Sequence, residues 1–288
     1  MEFAFEPPVF CFREYGDRSM SWRLLENGER NIFHSLAIEE ALAIVNSKRR
    51  KKLNTLRLWR VSDAVVIGRF QCVHKETDIN YCNQNGIAIA RRFTGGGAVF
   101  HDMGNLNFTL CMNQKEAYVA KTLPTLYLNF VGAVAKGLTD IGIPAKFDEK
   151  RSCIRIGNKK ITGTAGWIKR GVSFIHGTLL IASNLETLER SLRAPSGQIK
   201  YLRDDAKIRC MESKRDEVTS LSESLSKCPA DKDVASAIIR SIKDFTGADM
   251  VLGELSDKEQ ETAHALYQSR YSQSEWNLGT PCPENSSR

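Results

Sequence analysis

The 288-residue chain predicts an α+β domain: a mixed, largely antiparallel sheet flanked by helices. Two observations carry this. Short β-rich runs come in hairpin-like pairs with turn residues between them, and amphipathic helical segments stand before and after them. The length allows one large domain or two small ones. Apolar content of 42% and charged content of 26% fit an ordinary globular protein.

Along the chain, Ile38, Ala41, Leu42 and Val45 share one helical face, which predicts a helix over 35–45. Ser35 is its expected N-cap, and Glu39 and Glu40 are expected to point away from the apolar face. Runs 55–61 and 64–70 read as a hairpin about Ser62-Asp63. Thr77 or Asp78 caps a short helix that Asn85-Gly86 stops. A strand over 87–92 enters a glycine-rich loop, and 107–112 reads as another strand. The apolar segment 123–138 predicts a helix with Pro124 in its first turn, where a missing N–H is tolerated. Gly157-Asn158 divides the β-rich segment 146–161, and Lys169-Arg170-Gly171 divides 162–182 into two strands. Helices follow at 185–192, 233–245 and 257–269, with a polar, loop-rich connection over 200–232. No repeat or low-complexity tract is present.

The net charge of +7 draws partly on Lys48-Arg49-Arg50-Lys51-Lys52. This run reads as a solvated loop at a helix C-terminus, where cations are favourable. It lacks the aromatic interleaving of a nucleic-acid patch, so no nucleic-acid partner is expected. A basic surface does draw in acidic protein partners. No apolar run approaches the roughly 20 residues that span a bilayer, and no membrane partner is expected. The first residues carry acids and Pro7-Pro8 rather than a basic start, unlike a secretory or transit peptide. Cys11, Cys72, Cys82, Cys111, Cys153, Cys210, Cys228 and Cys282 form no C-x-x-C pair and no zinc spacing. Reduced, mostly structural thiols are therefore expected.

The stretch Arg91-Arg92-Phe93-Thr94-Gly95-Gly96-Gly97-Ala98-Val99-Phe100-His101-Asp102 holds the strongest chemical signal. Three consecutive glycines are entropically costly, and their N–H groups can face an anion beside the two arginines. Spacing alone leaves a mobile surface turn equally open. With Asn105-Leu106-Asn107-Phe108-Thr109 it closely resembles the signature of the lipoate-protein ligase A family. Further matches follow in family order. They are Leu58-Trp59-Arg60, Val65 to Gln71, Asn158 to Ala165, His176 to Leu180, and Tyr271 to Asn277.

The resemblance covers 21–279. It implies the biotin/lipoate ligase catalytic fold, with 1–20 an extension of unassigned role and 280–288 a short tail. It also implies an enzyme that activates lipoate with ATP to lipoyl-AMP. The lipoyl group then passes to a lysine of lipoyl domains or of the glycine cleavage H protein. Lys160 falls where the family's catalytic lysine stands, between carboxylate and α-phosphate; an exposed hairpin lysine is the plainer alternative. Arg92 is expected to face the acyl or phosphate end, against the alternative of a surface ion pair. Gly95, Gly96 and Gly97 would let the backbone approach the adenylate, and Thr94 would add a hydroxyl. Phe100 and His101 follow the loop, His101 positioning nucleotide or ligand, or else bonding its own strand end. Trp59 would line the acyl tunnel and His176 shape it, with Gly177 allowing close contact. Gly163 and Ala165 join this substrate-binding set. Mg²⁺ is expected with ATP, with no carboxylate assigned to it.

Larger lipoate ligases carry a small C-terminal domain after the last matching motif. Its absence from this sequence raises two alternatives, a separate accessory subunit or a lipoyl/octanoyltransferase that uses a preformed donor. A transferase can employ a cysteine thioester. Cys153 lies seven positions before Lys160 and is expected to be a buried thiol rather than that nucleophile. The implied compartment is the cytoplasm, or alternatively the mitochondrial matrix.

Overall fold

The computed structural model describes residues 21–26, 31–202 and 210–282. The expected extension 1–20, the end of the tail and Cys11 lie outside them. In chain order the elements begin with β1 (Ser21–Glu26), α1 (Ile32–Lys48), β2 (Thr55–Trp59), β3 (Ala64–Ile67), α2 (Val73–Glu76) and α3 (Ile79–Gln84). Next come β4 (Ala88–Arg91), β5 (Val99–His101), β6 (Asn105–Asn113), α4 (Leu123–Leu126) and, after a π-turn over Tyr127–Val131, α5 (Gly132–Asp140). The antiparallel strands β7 (Ala145–Asp148), β8 (Cys153–Ile156) and β9 (Lys159–Lys160) precede the long hairpin of β10 (Thr162–Lys169) and β11 (Val172–Leu180). The rest comprises α6 (Leu185–Ser191), β12 (Lys200–Leu202), α7 (Leu221–Ser224), α8 (Asp231–Thr246) and β13 (Asp249–Leu252). α9 (Asp257–Leu266), a π-turn over Tyr267–Tyr271, α10 (Ser274–Asn277) and β14 (Thr280–Cys282) follow. β14 pairs with β12, so the start of the expected tail is a strand.

Six strands form the main sheet in the order β10-β11-β6-β2-β1-β13, antiparallel from β10 to β2 and parallel beyond. A smaller mixed sheet, β4-β3-β5, carries the glycine loop between β4 and β5. On one face of the main sheet, Leu56, Leu58, Phe108 and Leu110 pack with Phe130, Val134, Ile238 and Ile242 from α5, α8 and the π-turn. On the other face, Leu25, Cys111 and Phe174 pack with Ile38, Ala41 and Leu42 of α1, which α9 covers through Ala263. No helix of the described residues is long and apolar enough to cross a membrane.

Register decides what that second face presents. Residues opposite one another in antiparallel strands share a face. One row therefore reads Ala165, His176, Thr109, Arg57, and the next reads Gly163, Thr178, Asn107, Trp59. Four of these residues, Trp59, Gly163, Ala165 and His176, are among the expected site, and the other four carry polar groups buried beside it.

Several expectations change. Asn31, not Ser35, caps α1; its side chain accepts from the N–H groups of Phe33 and His34 at 2.9 and 3.1 Å. Ser35 lies one turn inside the helix and is buried. Glu39 and Glu40 do not face solvent, because the sheet lies under one and the C-terminal segments cover the other. Glu40 accepts from Arg270 and from the Tyr271 hydroxyl at 2.5–2.7 Å. β2 and β3 do not form a hairpin: β2 lies between β1 and β6, and β3 between β4 and β5. Both strands are buried along their whole length, so no alternation marks their partners. The thiol expectation holds for Cys82, Cys111, Cys153 and Cys228 but fails for Cys72 and Cys210, which are joined in a disulfide.

The short helix capped by Asp78, the helix after Thr122 and the hairpins at Gly157 and Gly171 form where the sequence indicates. The basic run lies at the end of α1, with Lys48, Arg50 and Lys51 exposed and Arg49 reaching Ser256 and Glu259. Replacing Asn31 by Ala leaves two first-turn N–H groups without their side-chain acceptor. It is expected to lower stability by about 1 kcal/mol, read as a shifted urea midpoint at unchanged slope.

Candidate active site

The glycine loop is clamped before it meets any ligand. Arg92 N–H donates to the Ile67 carbonyl at 3.1 Å and Arg69 N–H to the Thr94 carbonyl at 2.8 Å, zipping the loop to the end of β3. Gly68 allows the closest approach: a Cβ there would lie 2.2 Å from the Gly96 carbonyl oxygen. Gly96 has φ 86°, a left-handed conformation that glycine adopts freely. Gly97 lies beneath Ser213, whose hydroxyl accepts the Ala98 N–H at 2.7 Å.

Arg92 is buried, and its guanidinium braces this loop. It donates to the carbonyls of Val66 at 3.1 Å and of Gly95 and Gly97 at 2.7 Å, and to the Thr94 hydroxyl at 3.1 Å. The expectation that Arg92 faces an anion is revised accordingly: most of its donors are spent on the loop, although it also forms part of the pocket wall. Burial lowers its pKa to about 10. Thr94 likewise turns inward, towards Arg92 and His176, rather than outward to an adenylate.

Behind the loop lies a relay that sequence reasoning did not identify. Glu39, 1% exposed, accepts from Arg57 Nη1 at 2.9 Å, from the Thr109 hydroxyl at 2.8 Å and from His176 Nδ1 at 3.1 Å. Burial pushes the Glu39 carboxyl up, but the His176 hydrogen bond and the Arg57 charge outweigh it and hold it below the usual range. His176 is held below its usual pKa by burial, and so is neutral. Its Nδ1 faces a carboxylate and carries the proton; Nε2 is then the acceptor for the Thr94 hydroxyl at 2.8 Å. Trp59 Nε1 donates to the Thr109 hydroxyl at 3.1 Å, and the Arg57 guanidinium lies over the Trp59 ring. The one available signal was a pair of acids inside an otherwise apolar helical run.

These residues surround a narrow slot walled by Leu36, Trp59, Val66, Val99, Ala165 and His101. Gly163, His176 and Gly177 line it too. The lack of a side chain at Gly177 makes room for Phe108, and at Gly163 for Val99, so both glycines serve packing between neighbours. His101 stacks on Trp59, bonds the Thr178 hydroxyl at 3.2 Å, and stays neutral because burial drops its pKa to about 3. Phe100 is buried beneath the loop and lines the passage outward.

Lys160 stands in that passage, which shares Val99, Gly163 and Thr178 with the slot. It also lines an outer cavity of about 780 Å³, whose walls include Lys75, Arg193, Lys214 and Arg215. Burial lowers the Lys160 pKa below its usual value, against the opposing pull of Cys153 and Asp216. Asp216 is itself held by Arg151 and Arg155 at 3.0 and 2.8 Å. Cys153 is fully buried, and burial pushes its thiol up. Among the described residues no group of three or more histidine, cysteine or acidic side chains is placed to hold a metal.

The site thus joins an apolar slot, a central lysine and a cationic outer cavity beneath one glycine loop. Comparison with known proteins matches residues 31–243 to the lipoyl protein ligase A/B catalytic domain. The chain belongs to this family. Lipoate-protein ligase A subunit 1 of Thermoplasma acidophilum is 32% identical over 253 residues, covering 85% of this chain and 91% of its own. Octanoyltransferase LipM of Symbiobacterium thermophilum is 26% identical over 280 residues, covering 90% and 98%. Several other relatives are longer; this chain spans 62% of the Bacillus subtilis ligase LplJ and 46% of the Psychrobacter cryohalolentis ligase.

Solved structures of the family share the fold. A T. acidophilum putative lipoate protein ligase with bound lipoic acid has a TM-score of 0.76 at 29% identity, covering 90% of this chain and 100% of that one. A lipoate-protein ligase A bound with ATP gives 0.77 at 29%, covering 90% and 99%. A bi-partite T. acidophilum ligase, described with its E2 lipoyl domain, gives 0.77 at 30%, covering 92% and 99%.

Removing the Glu39 carboxylate would take from the buried Arg57 guanidinium the carboxylate that it pairs with at 2.9 Å. Glu39→Ala is expected to lower stability by about 3–5 kcal/mol in chemical denaturation. A loss below 1 kcal/mol would show that the relay is not a structural junction.

Proposed function

We propose that this chain is the catalytic part of an ATP-dependent lipoate-protein ligase. It joins lipoate to AMP and passes the lipoyl group to a lysine of lipoyl domains and of the glycine cleavage H protein. The observation that carries this reading is the position of Lys160 at the junction of slot and outer cavity. An acyl chain in the slot would bring its carboxylate to Lys160, and a nucleotide in the outer cavity would bring its α-phosphate to the same ammonium. The lipoic acid and ATP bound by the solved relatives support both assignments.

The carboxylate oxygen attacks the α-phosphorus, the α–β phosphoanhydride bond breaks, and pyrophosphate leaves with the bonding electrons. Negative charge gathers on the α-phosphoryl oxygens, where a fixed ammonium in a partly dry site is most effective. The acceptor lysine then attacks the acyl carbonyl as a free amine, loses a proton and expels AMP. Mg²⁺ arriving with ATP would supply charge neutralisation for the departing pyrophosphate and would need few protein ligands. An accessory subunit completes the activation step; the T. acidophilum relative is itself named as one subunit.

The alternative is a transferase that takes preformed lipoyl-AMP or an octanoyl carrier. A thioester route through Cys153, the cysteine weighed for it in the sequence, is opposed by the full burial and raised pKa of that thiol. Three donors should be compared on one acceptor: lipoate with ATP and Mg²⁺, lipoyl-AMP alone, and octanoyl carrier protein, each with and without a candidate second subunit. Lipoylation from the first donor, abolished by a chelator that leaves lipoyl-AMP transfer intact, is the expected result. Transfer from the octanoyl carrier alone would overturn the ligase reading.

Lys160→Ala is expected to slow adenylation by about 10²-fold or more, whereas Cys153→Ala stays within a few-fold of the parent. The reaction uses the charged ammonium, so its rate should fall as pH rises through a pKa below the ordinary lysine value. A pH–rate profile with no alkaline limb below that value would contradict the role assigned to Lys160.

A further inference from the structure

We propose that Cys72 and Cys210 form a redox latch on the strap over 210–219, so that the thiol state of the protein sets how firmly the outer cavity is walled. The inference rests on the reading of that cavity as the nucleotide site. The two cysteines lie 138 positions apart in sequence and are bonded with their Cα atoms 4.8 Å apart. Cys72 follows directly on Gly68–Gln71, the segment against which the glycine loop packs. Cys210 begins the strap, and Ser213 to Val218 of the strap form one wall of the cavity opposite Ala98 and Lys160.

The strap's two ends are fastened differently. Its far end is tied to the passage lysine: Lys160 N–H donates to the Glu217 carbonyl at 2.8 Å, and Thr219 N–H to the Lys160 carbonyl at 3.0 Å. Its middle is held by Ser213, which donates through N–H and hydroxyl to the buried Glu76 carboxylate at 2.9 and 2.5 Å. The same hydroxyl accepts from the Ala98 N–H and from Gln71 Nε2. Among the described residues the near end is joined by a Met211 N–H bond to the Phe70 carbonyl at 3.0 Å and an exposed Lys75–Glu212 pair, besides the disulfide. An exposed pair contributes little, and the Met211 side chain is 58% exposed. The disulfide is therefore the covalent tie at this end, acting alongside the hydrogen bonds that hold Ser213 against the glycine loop.

Cys210 is half-buried and reachable, while Cys82, Cys111 and Cys153 keep buried thiols. Among the described residues one disulfide stands beside retained thiols, which is not the pattern of a scaffold stapled throughout. Opening needs a dithiol reductant. Its thiolate attacks Cys210 Sγ and expels the Cys72 thiolate, which takes a proton. The reductant's second thiolate then attacks the mixed disulfide and releases Cys210 as a thiol. Two electrons and two protons pass to the protein, and the reductant leaves as its own disulfide.

The test uses the full chain, oxidised or treated with dithiothreitol, and follows tryptic cleavage after the exposed Lys214 and Arg215 by mass spectrometry. Reduction is expected to speed that cleavage about tenfold through local opening, with Cys72→Ser and Cys210→Ser cut at the reduced rate in either condition. Release of ATP, measured with Mg²⁺ present, should quicken by a similar factor in the reduced protein. Equal cleavage in both redox states, or a non-reduced peptide map without the Cys72–Cys210 bond, overturns the latch. Redox-dependent cleavage in a protein that binds no ATP in either state keeps the latched wall and removes the nucleotide reading instead.

Discussion

One buried carboxylate holds this site together. Glu39 lies where α1 crosses the main sheet, and it accepts from groups on three strands at once: Arg57 of β2, Thr109 of β6 and His176 of β11. Through His176 and Thr94 it reaches the glycine loop, and through Thr109 it reaches Trp59 of the slot. A carboxylate in such surroundings is tolerable only when its lone pairs are filled and its charge is matched. The fold meets both conditions, so the positions of α1, the sheet and the loop are mutually determined. The relay sets where the walls stand, while the proposed chemistry occurs several residues away at Lys160.

That division explains what the sequence made legible. The long hairpin of β10 and β11 and the capped helix after Asp78 announce themselves through local turn and cap residues. The partners of β2 and β3 do not, because both strands are apolar and buried along their length. β2 finds β6 some fifty residues downstream, while β3 turns into a different sheet. Local spacing carries no information about that choice.

The site was legible to a similar degree. The motif residues Trp59, Arg92, His101, Gly163, Ala165 and His176 do gather about one slot, with Lys160 in the passage beyond it. Their individual duties were less legible. Arg92 and Thr94 look like ligand contacts in a motif, yet the structure spends them on the loop's own carbonyls and on His176. Glu39 looks like a solvent-facing residue by helical period, because periodicity measures one helix and cannot know that a sheet lies beneath its polar side. Ser213 and Glu76 escape entirely, as their meeting depends on a strap from 137 positions away.

On the proposed reading, the distribution of charge would orient an acyl substrate. Within the slot the two histidines are neutral, Glu39 and Arg57 cancel, and Arg92 is surrounded by carbonyls. An apolar chain can enter there without desolvating an unmatched ion. Lys160 is the contrast: its ammonium is disfavoured by burial, and the nearby Asp216 is already committed to Arg151 and Arg155. A cation held at such a cost gains most from an incoming anion, since the anion restores the interactions that burial removed. On the proposed reading, an amphipathic acid would enter tail inward and carboxylate outward, towards the outer cavity with its excess of cationic side chains. The low polarity of the slot and the buried charge of Lys160 would together set the direction of binding that the proposed function needs.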